Sequence, residues 1–431
     1  LDNKDFFLVK LIEIFGLYIH WPFCLSKCPY CDFNSHVRTD IDEEAWTDAF
    51  LRELNALAPQ MNPDRFRLGS IFFGGGTPSL MPPTLVSALI REAKSLWSSE
   101  PNLEISLEAN PNTFDQGRFV ALRHAGINRL SLGIQSLQAE ELQFLKRTHS
   151  ARQAQQAMQC AQTLFPRYSF DLIYGLPQQR LETWQDTLSE TLAFQPTHLS
   201  CYQLTFEPGT PFYQRFQKGE LAYPPDEDAL LFFHTTRRLL RRSGLIQYET
   251  SNYAKDDHQC AHNLIYWRSQ AYLGIGPGAA GRWQQQDGRL AQANERIPEV
   301  WLRSVQEKGN GIQKLSPLSA DEIFREWLMM GLRLKEGINL NTIRHLTGRP
   351  WQDWGLEDKI AQLQEAGLCT LKAEAPNLPL PADIHRHPSA QGAGRQPPKH
   401  KKRAVPKDDP HLRLTLKGHM RLNSVLSLLY L

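Results

Sequence analysis

The chain has 431 residues, more than one hydrophobic core usually serves, so a large domain with a smaller one is the natural expectation. Forty-eight basic residues against 46 acidic ones leave a net charge of +2, which excludes a nucleic-acid surface spread over the whole molecule. Hydrophobic residues make up 41%, ample for a packed interior, yet no run approaches the ~18 apolar residues of a membrane span.

Residues 1–15 form an N-terminal extension whose apolar stretch is interrupted by Lys10 and Glu13 and lacks the small-residue cleavage site of an export leader. Short β-branched and aromatic runs then alternate with amphipathic helical stretches to about residue 280. The spacing predicts strands over 16–21, 69–73, 103–108, 129–134, 168–174 and 198–205. Between them it predicts helices over 42–57, 83–97, 115–124, 139–146, 151–164 and 181–193; in the first, Trp46, Phe50, Leu54 and Leu57 recur at helical spacing. Repeated βα units predict an α/β fold with a parallel sheet, an incomplete barrel of six strand–helix repeats over 16–280. In such folds the working residues gather at the C-terminal strand ends, where the βα loops converge.

Residues 281–315 are expected to connect this barrel to a C-terminal domain, 316–431. Ser319-Ala-Asp-Glu322 is a capping box that starts a helix reaching about residue 334, with Gly337 as its stop. A helix over 356–366 follows, then strands over 368–372 and 411–415, then a closing helix with Leu422, Val425, Leu426 and Leu429 on one face. That order suits a small helical, winged-helix-like domain. The two strands flank residues 373–410, where eight prolines, three histidines and seven Lys or Arg leave little apolar surface to bury. This insert is expected to be disordered, a solvated tether or a basic contact for anionic lipid or nucleic acid. His385 and His387 within it are candidates to touch metal or haem.

The strand ends carry the chemistry. After the first strand come Cys24, Cys28 and Cys31, spaced CxxxCxYC. The cysteine total of seven is odd and four (Cys160, Cys201, Cys260, Cys369) are scattered singly, so free thiols in a reducing, cytoplasmic setting are expected. Three clustered thiolates suit either of two centres: a [4Fe–4S] cubane with one iron open to a small molecule, or a zinc completed by His20 or His36. Further on, 69–73 runs into Gly74-Gly75-Gly76-Thr77-Pro78, 103–108 ends at Glu108, 129–134 ends at Gln135, and 168–174 carries Asp171. Glycines there either admit a ligand to the backbone or mark a turn, and a strand-end carboxylate either accepts from a ligand or caps a helix.

Taken together, Cys24-x-x-x-Cys28-x-Tyr-Cys31 after Tyr18-Ile-His-Trp21, the Gly74–Pro78 run, Glu108, Gln135, Asp171-Leu-Ile-Tyr-Gly-Leu-Pro177 and His262-Asn-Leu-Ile-Tyr-Trp267 resemble the radical S-adenosylmethionine (SAM) superfamily. Within it they resemble the oxygen-independent coproporphyrinogen III oxidase-like family, in its haem-chaperone branch, over roughly residues 16–372 and 411–431. The resemblance implies that the three cysteines ligate a [4Fe–4S] cluster whose fourth iron chelates SAM. It implies SAM contacts from Tyr18, Tyr30, Gly76, Thr77, Pro78, Glu108, Gln135, Arg147 and Asp171. It makes His262 the leading candidate to contact haem iron, the alternative beside Asn263 and Trp267 being a hydrogen-bonded structural residue, with His20 and His36 as second choices. The oxidases carry a further cysteine two positions beyond the third ligand, where this chain has Phe33 in Cys31-Asp-Phe-Asn-Ser-His36, as the chaperone branch does. Phenylalanine neither ligates metal nor moves a proton. The implied function is therefore binding of haem and its transfer to an acceptor protein, free or in a membrane, with no nucleic acid involved. Decarboxylation of coproporphyrinogen III propionates to vinyls stands second, and a zinc-stabilised nucleic-acid-binding module third.

Overall fold

The structure, a computed structural model, describes residues 12–285, 288–372 and 410–430. The chain divides into two units, Leu1–Ser319 and Ala320–Leu431. The insert expected over 373–410, with His385 and His387, lies outside the described residues apart from Pro410, as do residues 1–11 of the N-terminal extension.

In the first unit six parallel strands pair in chain order: β1 (Glu13–Trp21), β2 (Phe66–Gly75), β3 (Ser99–Ala109), β4 (Arg129–Gln135), β5 (Arg167–Tyr174) and β6 (His198–Gln203). The helices between them are α1 (Glu43–Leu57), α2 (Pro83–Leu96), α3 (Gln116–His124), α4 (Ala139–Phe144), α5 (Ala151–Leu164) and α6 (Leu181–Ala193). Buried parallel strands read as near-continuous apolar runs, which is why the alternation with helices was legible. β1 begins at Glu13, so residues 13–15 of the expected extension belong to the sheet.

Three helices follow β6: α7 (Pro211–Gln217), α8 (Asp226–Arg242) and α9 (Ala261–Trp267). β1 is not closed onto β6. Its free edge takes β7 (Ala271–Ile275) in parallel, with Phe15 opposite Ala271 and Ile19 opposite Ile275. Antiparallel strands β8 (Ala280–Gln285), β9 (Gly288–Asn294) and β10 (Ile312–Pro317) continue outward, in an open 12-stranded sheet. Residues 281–315, expected as a connection, thus hold β8–β10 and helix α10 (Pro298–Lys308). In β8 only Gly281 and Trp283 are buried, too few positions for a period of two to stand out.

The pleat sorts β1 into two roles. Phe15, Leu17, Ile19 and Trp21 pack outward into the core with Trp46 and Phe50 of α1. The opposite phase, Tyr18 and His20, faces the concave side of the sheet, beside Phe72 of β2. On α1 one inward position is Glu53, which accepts hydrogen bonds from the Gly276 and Gly311 amides at 2.7 Å, Asn294 Nδ2 at 3.0 Å and Trp301 Nε1 at 3.1 Å. Burial pushes its carboxyl up to about 7 although every neighbour donates to it. This buried acceptor ties α1 to β7, β9 and α10, and nothing in the local pattern marked it.

The second unit has α11 (Ala320–Gly331), β11 (Ile338–Asn339), α12 (Thr342–Thr347), α13 (Leu356–Glu365), β12 (Cys369–Lys372), β13 (His411–Leu414), α14 (Leu416–His419) and α15 (Leu422–Tyr430). The strands form an antiparallel sheet in the order β11-β13-β12, the helical, winged-helix-like arrangement expected. α11 stops at Gly331, earlier than its apolar pattern suggests, because Leu332 and Leu334 are buried by a turn instead. Val425, Leu426 and Leu429 form the buried face of α15.

Candidate functional site

Parallel strands bring all their C-terminal ends to one rim, and the cysteine loop leaves β1 there. The loop is closed by a two-residue parallel pairing of Phe23–Cys24 with His36–Val37. It is clamped by the end of β2: the Gly76 amide donates to Trp21 O at 2.7 Å and the Thr77 amide to Phe23 O at 2.9 Å. A Cβ on Gly76 would lie 2.7 Å from Phe23 O, and one on Gly75, whose φ is +109°, would lie 2.7 Å from the His20 ring. The glycine run is thus required by the loop's own packing. Pro78 opens the short turn that follows.

Each of the three thiols has a hydrogen-bond partner. Thr77 Oγ1 donates to Cys24 Sγ at 3.3 Å, and Arg147 Nη1 donates to Cys28 Sγ at 3.4 Å. Asn110 joins the two donors, giving Nδ2 to Thr77 Oγ1 at 3.1 Å and accepting Arg147 Nη2 on Oδ1 at 2.5 Å. Arg147 also reaches Tyr30 OH at 3.5 Å and Gly133 O at 2.9 Å, and its Nε is buried with no partner. Cys31 Sγ lies 3.9 Å from Ser35 Oγ. Burial pushes the Cys24 and Cys31 thiols up. Sequence reasoning missed Asn110, whose only signal was its place two residues after Glu108 at the end of β3.

Among the described residues no three His, Cys, Asp or Glu side chains converge on a point that a single metal ion would fill. A cubane is gripped at separate irons and needs no such convergence. The histidines expected as completing ligands are committed elsewhere. His20 Nε2 donates to Asn34 O at 2.9 Å, which leaves Nδ1 to accept from Tyr18 OH at 3.0 Å, and burial lowers its pKa to about 4. His36 Nε2 bonds Asn34 Oδ1 at 3.3 Å. Asn34 also donates to Pro277 O and Arg296 O, each at 2.9 Å, so the Cys-Asp-Phe-Asn-Ser-His run folds around it. Phe33 beside it is 58% exposed. Thiols with donors on sulfur, beside a buried guanidinium with a spare N–H, fit a [4Fe–4S] cluster and an anionic ligand.

On the concave face, Glu108 and Asp171 form a second group. Burial and the Asp171 charge push Glu108 up to about 8, while the Gly75 amide opposes this by donating to it. Asp171 is raised by burial although Ser131 Oγ donates to both its oxygens, at 3.2 and 3.1 Å. One proton can therefore be held near neutral pH. Gln135 has φ of +68° where the β4–β5 register shifts, a strained conformation for a residue with a side chain. Tyr30 packs on Phe212 of α7, with ring centroids 6.3 Å apart.

His262, the expected contact to haem iron, sits beside Tyr18 of the concave face, their rings stacked at 6.1 Å. It is 1% exposed, with Nδ1 bonded to Ser70 Oγ and Nε2 to Tyr266 OH, both at 2.7 Å, and its ring stacks on Phe72 at 5.0 Å. Both ring nitrogens are thus hydrogen-bonded to hydroxyls. The run it belongs to is α9, whose Ala261 and His262 amides donate to buried Glu104 at 3.2 and 3.3 Å. Glu104 in turn faces Arg167 at 3.4 Å and Arg129 at 3.9 Å. The motif fastens a helix against β2 and β3.

Residues 18–190 match the family model of the Radical SAM superfamily, and residues 318–377 match that of the HemN C-terminal domain. The protein named heme chaperone HemW of Escherichia coli is 40% identical over 334 residues, 76% of this chain and 85% of its own. The chain belongs to the radical SAM superfamily, in its HemW branch. A bovine relative, radical S-adenosyl methionine domain-containing protein 1, mitochondrial, is 39% identical over 363 residues, 83% of this radical SAM chain and 82% of its own. The structure of coproporphyrinogen III oxidase (HemN) from Escherichia coli shares the fold, with a TM-score of 0.73 at 21% identity over 97% of this chain and 90% of that one. The superfamily match spans the three cysteines, Glu108, Gln135, Arg147 and Asp171; His262 lies beyond it. Among the described residues of this radical SAM protein, no helix is long and apolar enough to cross a membrane.

Proposed function

We propose that this radical SAM chain holds a [4Fe–4S] cluster on Cys24, Cys28 and Cys31 with SAM at the open iron, and that it binds haem and passes it to an acceptor protein, free or in a membrane. The observation that carries the cluster reading is the hydrogen-bonded chain Arg147–Asn110–Thr77, which ends on two of the three thiols. It supplies positive charge and donors to sulfur, which favour thiolates. When bound, the cluster supplies an electron to SAM. Arg147 Nε offers a donor to the ligand's carboxylate, Glu108 and Asp171 offer acceptors to its hydroxyls, and Tyr18, Tyr30 and Gln135 line the same rim. The described cysteines are all free thiols, which supports action in a reducing compartment of the cytoplasmic kind.

Haem handling is supported by the relatives named heme chaperone HemW, and exposed Phe33 supplies no group for oxidase chemistry. Anaerobic reconstitution with iron and sulfide, a haem titration and transfer to an apo-haemoprotein test the reading. The wild type should retain iron that the Cys24→Ser/Cys28→Ser/Cys31→Ser variant loses. Failure to hold iron would remove the cluster, and failure to bind haem would remove the chaperone role. Conversion of coproporphyrinogen III to protoporphyrinogen would favour the oxidase instead.

A further inference from the structure

Tyr18 and His20 stand two residues apart on β1, so the pleat puts both on the concave face, below the rim that holds the cysteine loop. Their hydrogen bonds have one possible direction. Asn34 O has no hydrogen to give, so its contact of 2.9 Å with His20 Nε2 requires the proton on that nitrogen. Burial lowers the His20 pKa to about 4, so near neutral pH the ring carries a single proton and Nδ1 is a bare lone pair. The Tyr18 hydroxyl, 3.0 Å from Nδ1, is then the donor. Its one proton is spent inside the protein, and only its lone pairs are left for a ligand.

The relay is held at both ends. Asn34 uses its whole side chain as an anchor: Nδ2 donates to Pro277 O and Arg296 O, each at 2.9 Å, and Oδ1 accepts from His36 Nε2 at 3.3 Å. Its main-chain oxygen is therefore a fixed reference for the imidazole. The glycine run makes room at the other end, since a Cβ on Gly75 would lie 2.7 Å from the His20 ring and one on Gly74 would lie 3.1 Å from the Tyr18 hydroxyl. The Tyr18 ring stacks with those of Phe72 and His262, at centroid distances of 6.3 and 6.1 Å. His20 itself is buried and reaches a ligand only through Tyr18.

We infer that His20 is a positioning residue that makes Tyr18 an obligate hydrogen-bond acceptor, so that the part of SAM which Tyr18 meets is electropositive. The inference rests on the SAM binding proposed above. Two groups of SAM qualify, the amine N–H and the sulfonium. The carboxylate does not, because its oxygens and the Tyr18 lone pairs repel each other. A tyrosine without the relay would turn its proton toward a carboxylate equally well, so the imidazole decides the ligand's orientation. Arg147, with its spare Nε–H, offers the complementary donor, and the two residues sort the charged groups of one zwitterion.

The test uses the full chain, reconstituted anaerobically, with iron content and circular dichroism as checks of cluster and fold. It is titrated with SAM and with S-adenosylhomocysteine, whose sulfur is uncharged. Tyr18→Phe should weaken SAM binding about tenfold, the worth of one hydrogen bond to a charged group. An equal loss for both ligands assigns the contact to the amine and a loss for SAM alone assigns it to the sulfonium, each in accord with the inference. His20→Ala frees the tyrosine hydroxyl and should weaken SAM binding roughly fivefold in the wild-type background but under about twofold in the Tyr18→Phe background, because its effect passes through that hydroxyl. A histidine with a packing role alone would cost the same in both backgrounds, and that result would overturn the inference. His20→Asn, whose Oδ1 can take the Tyr18 proton, should bind SAM more tightly than His20→Ala. If the wild type binds SAM and Tyr18→Phe leaves the affinity for both ligands unchanged, the inference falls while SAM binding stands. If the wild type binds no SAM, the proposed SAM site itself falls, and this inference with it.

Discussion

His262→Ala separates a core histidine from a haem ligand. The substitution deletes two buried hydrogen bonds of 2.7 Å and strands the hydroxyls of Ser70 and Tyr266. Each stranded group costs about 1–3 kcal/mol, and removing a ring packed on Phe72 leaves a cavity besides. Because the two hydroxyls can turn toward each other or take up water in the vacated space, a net loss of about 4 kcal/mol is expected. For a unit of this size that corresponds to a fall in Tm of roughly 6 °C. Thermal unfolding by circular dichroism measures the first quantity, and a Soret titration at a temperature where the variant is folded measures the second. The expected pairing is a lowered Tm with unchanged haem affinity. An unchanged Tm with haem binding abolished would return His262 to the iron and refute its structural role.

Stability should peak near pH 6.5. Below it, His20 and His149 (each lowered to about 4) and His262 (lowered to about 3) stay neutral when folded but protonate at about 6.5 when unfolded, so their contribution is complete above 6.5 and is lost as pH falls. Above it, Glu53, raised to about 7, and Glu108, raised to about 8, hold protons that the unfolded chain releases near 4.5, so their contribution is complete below 4.5 and is lost as pH rises to about 7 and about 8. Urea midpoints across this range check both arms, and Glu108→Gln should flatten the alkaline one above pH 7. Glu53→Ala strands the Gly276 and Gly311 amides, Asn294 and Trp301, and should cost about 3–5 kcal/mol by urea unfolding; a loss under 1 kcal/mol would contradict its bridging role. Asn110→Ala releases Arg147 and Thr77 while keeping the cysteines, so iron content should hold while SAM binds about tenfold more weakly, roughly the 1.4 kcal/mol of one hydrogen bond to a charged group. Unchanged SAM affinity would detach Asn110 from the site.

The amino-acid sequence by itself determined the six-strand alternation, because parallel strands buried on both faces and amphipathic helices carry strong local periodicity. It also placed Cys24, Gly76, Glu108 and Gln135 at or just past strand ends, which parallel order sends to one rim. Polar residues whose meaning lies in distant partners were decided only by tertiary structure. His262 reads the same as ligand or core residue until Ser70, 192 positions away, is found on its ring nitrogen. Glu53 is an ordinary helical glutamate until Gly311, 258 positions away, donates to it. Asn110 carries no pattern, and Asn34 stands in a motif that does not tell its role, because both work by joining separate loops. Periodicity is a property of neighbours along the chain, whereas a buried polar group is defined by the partner that compensates its desolvation, and the fold alone supplies that partner.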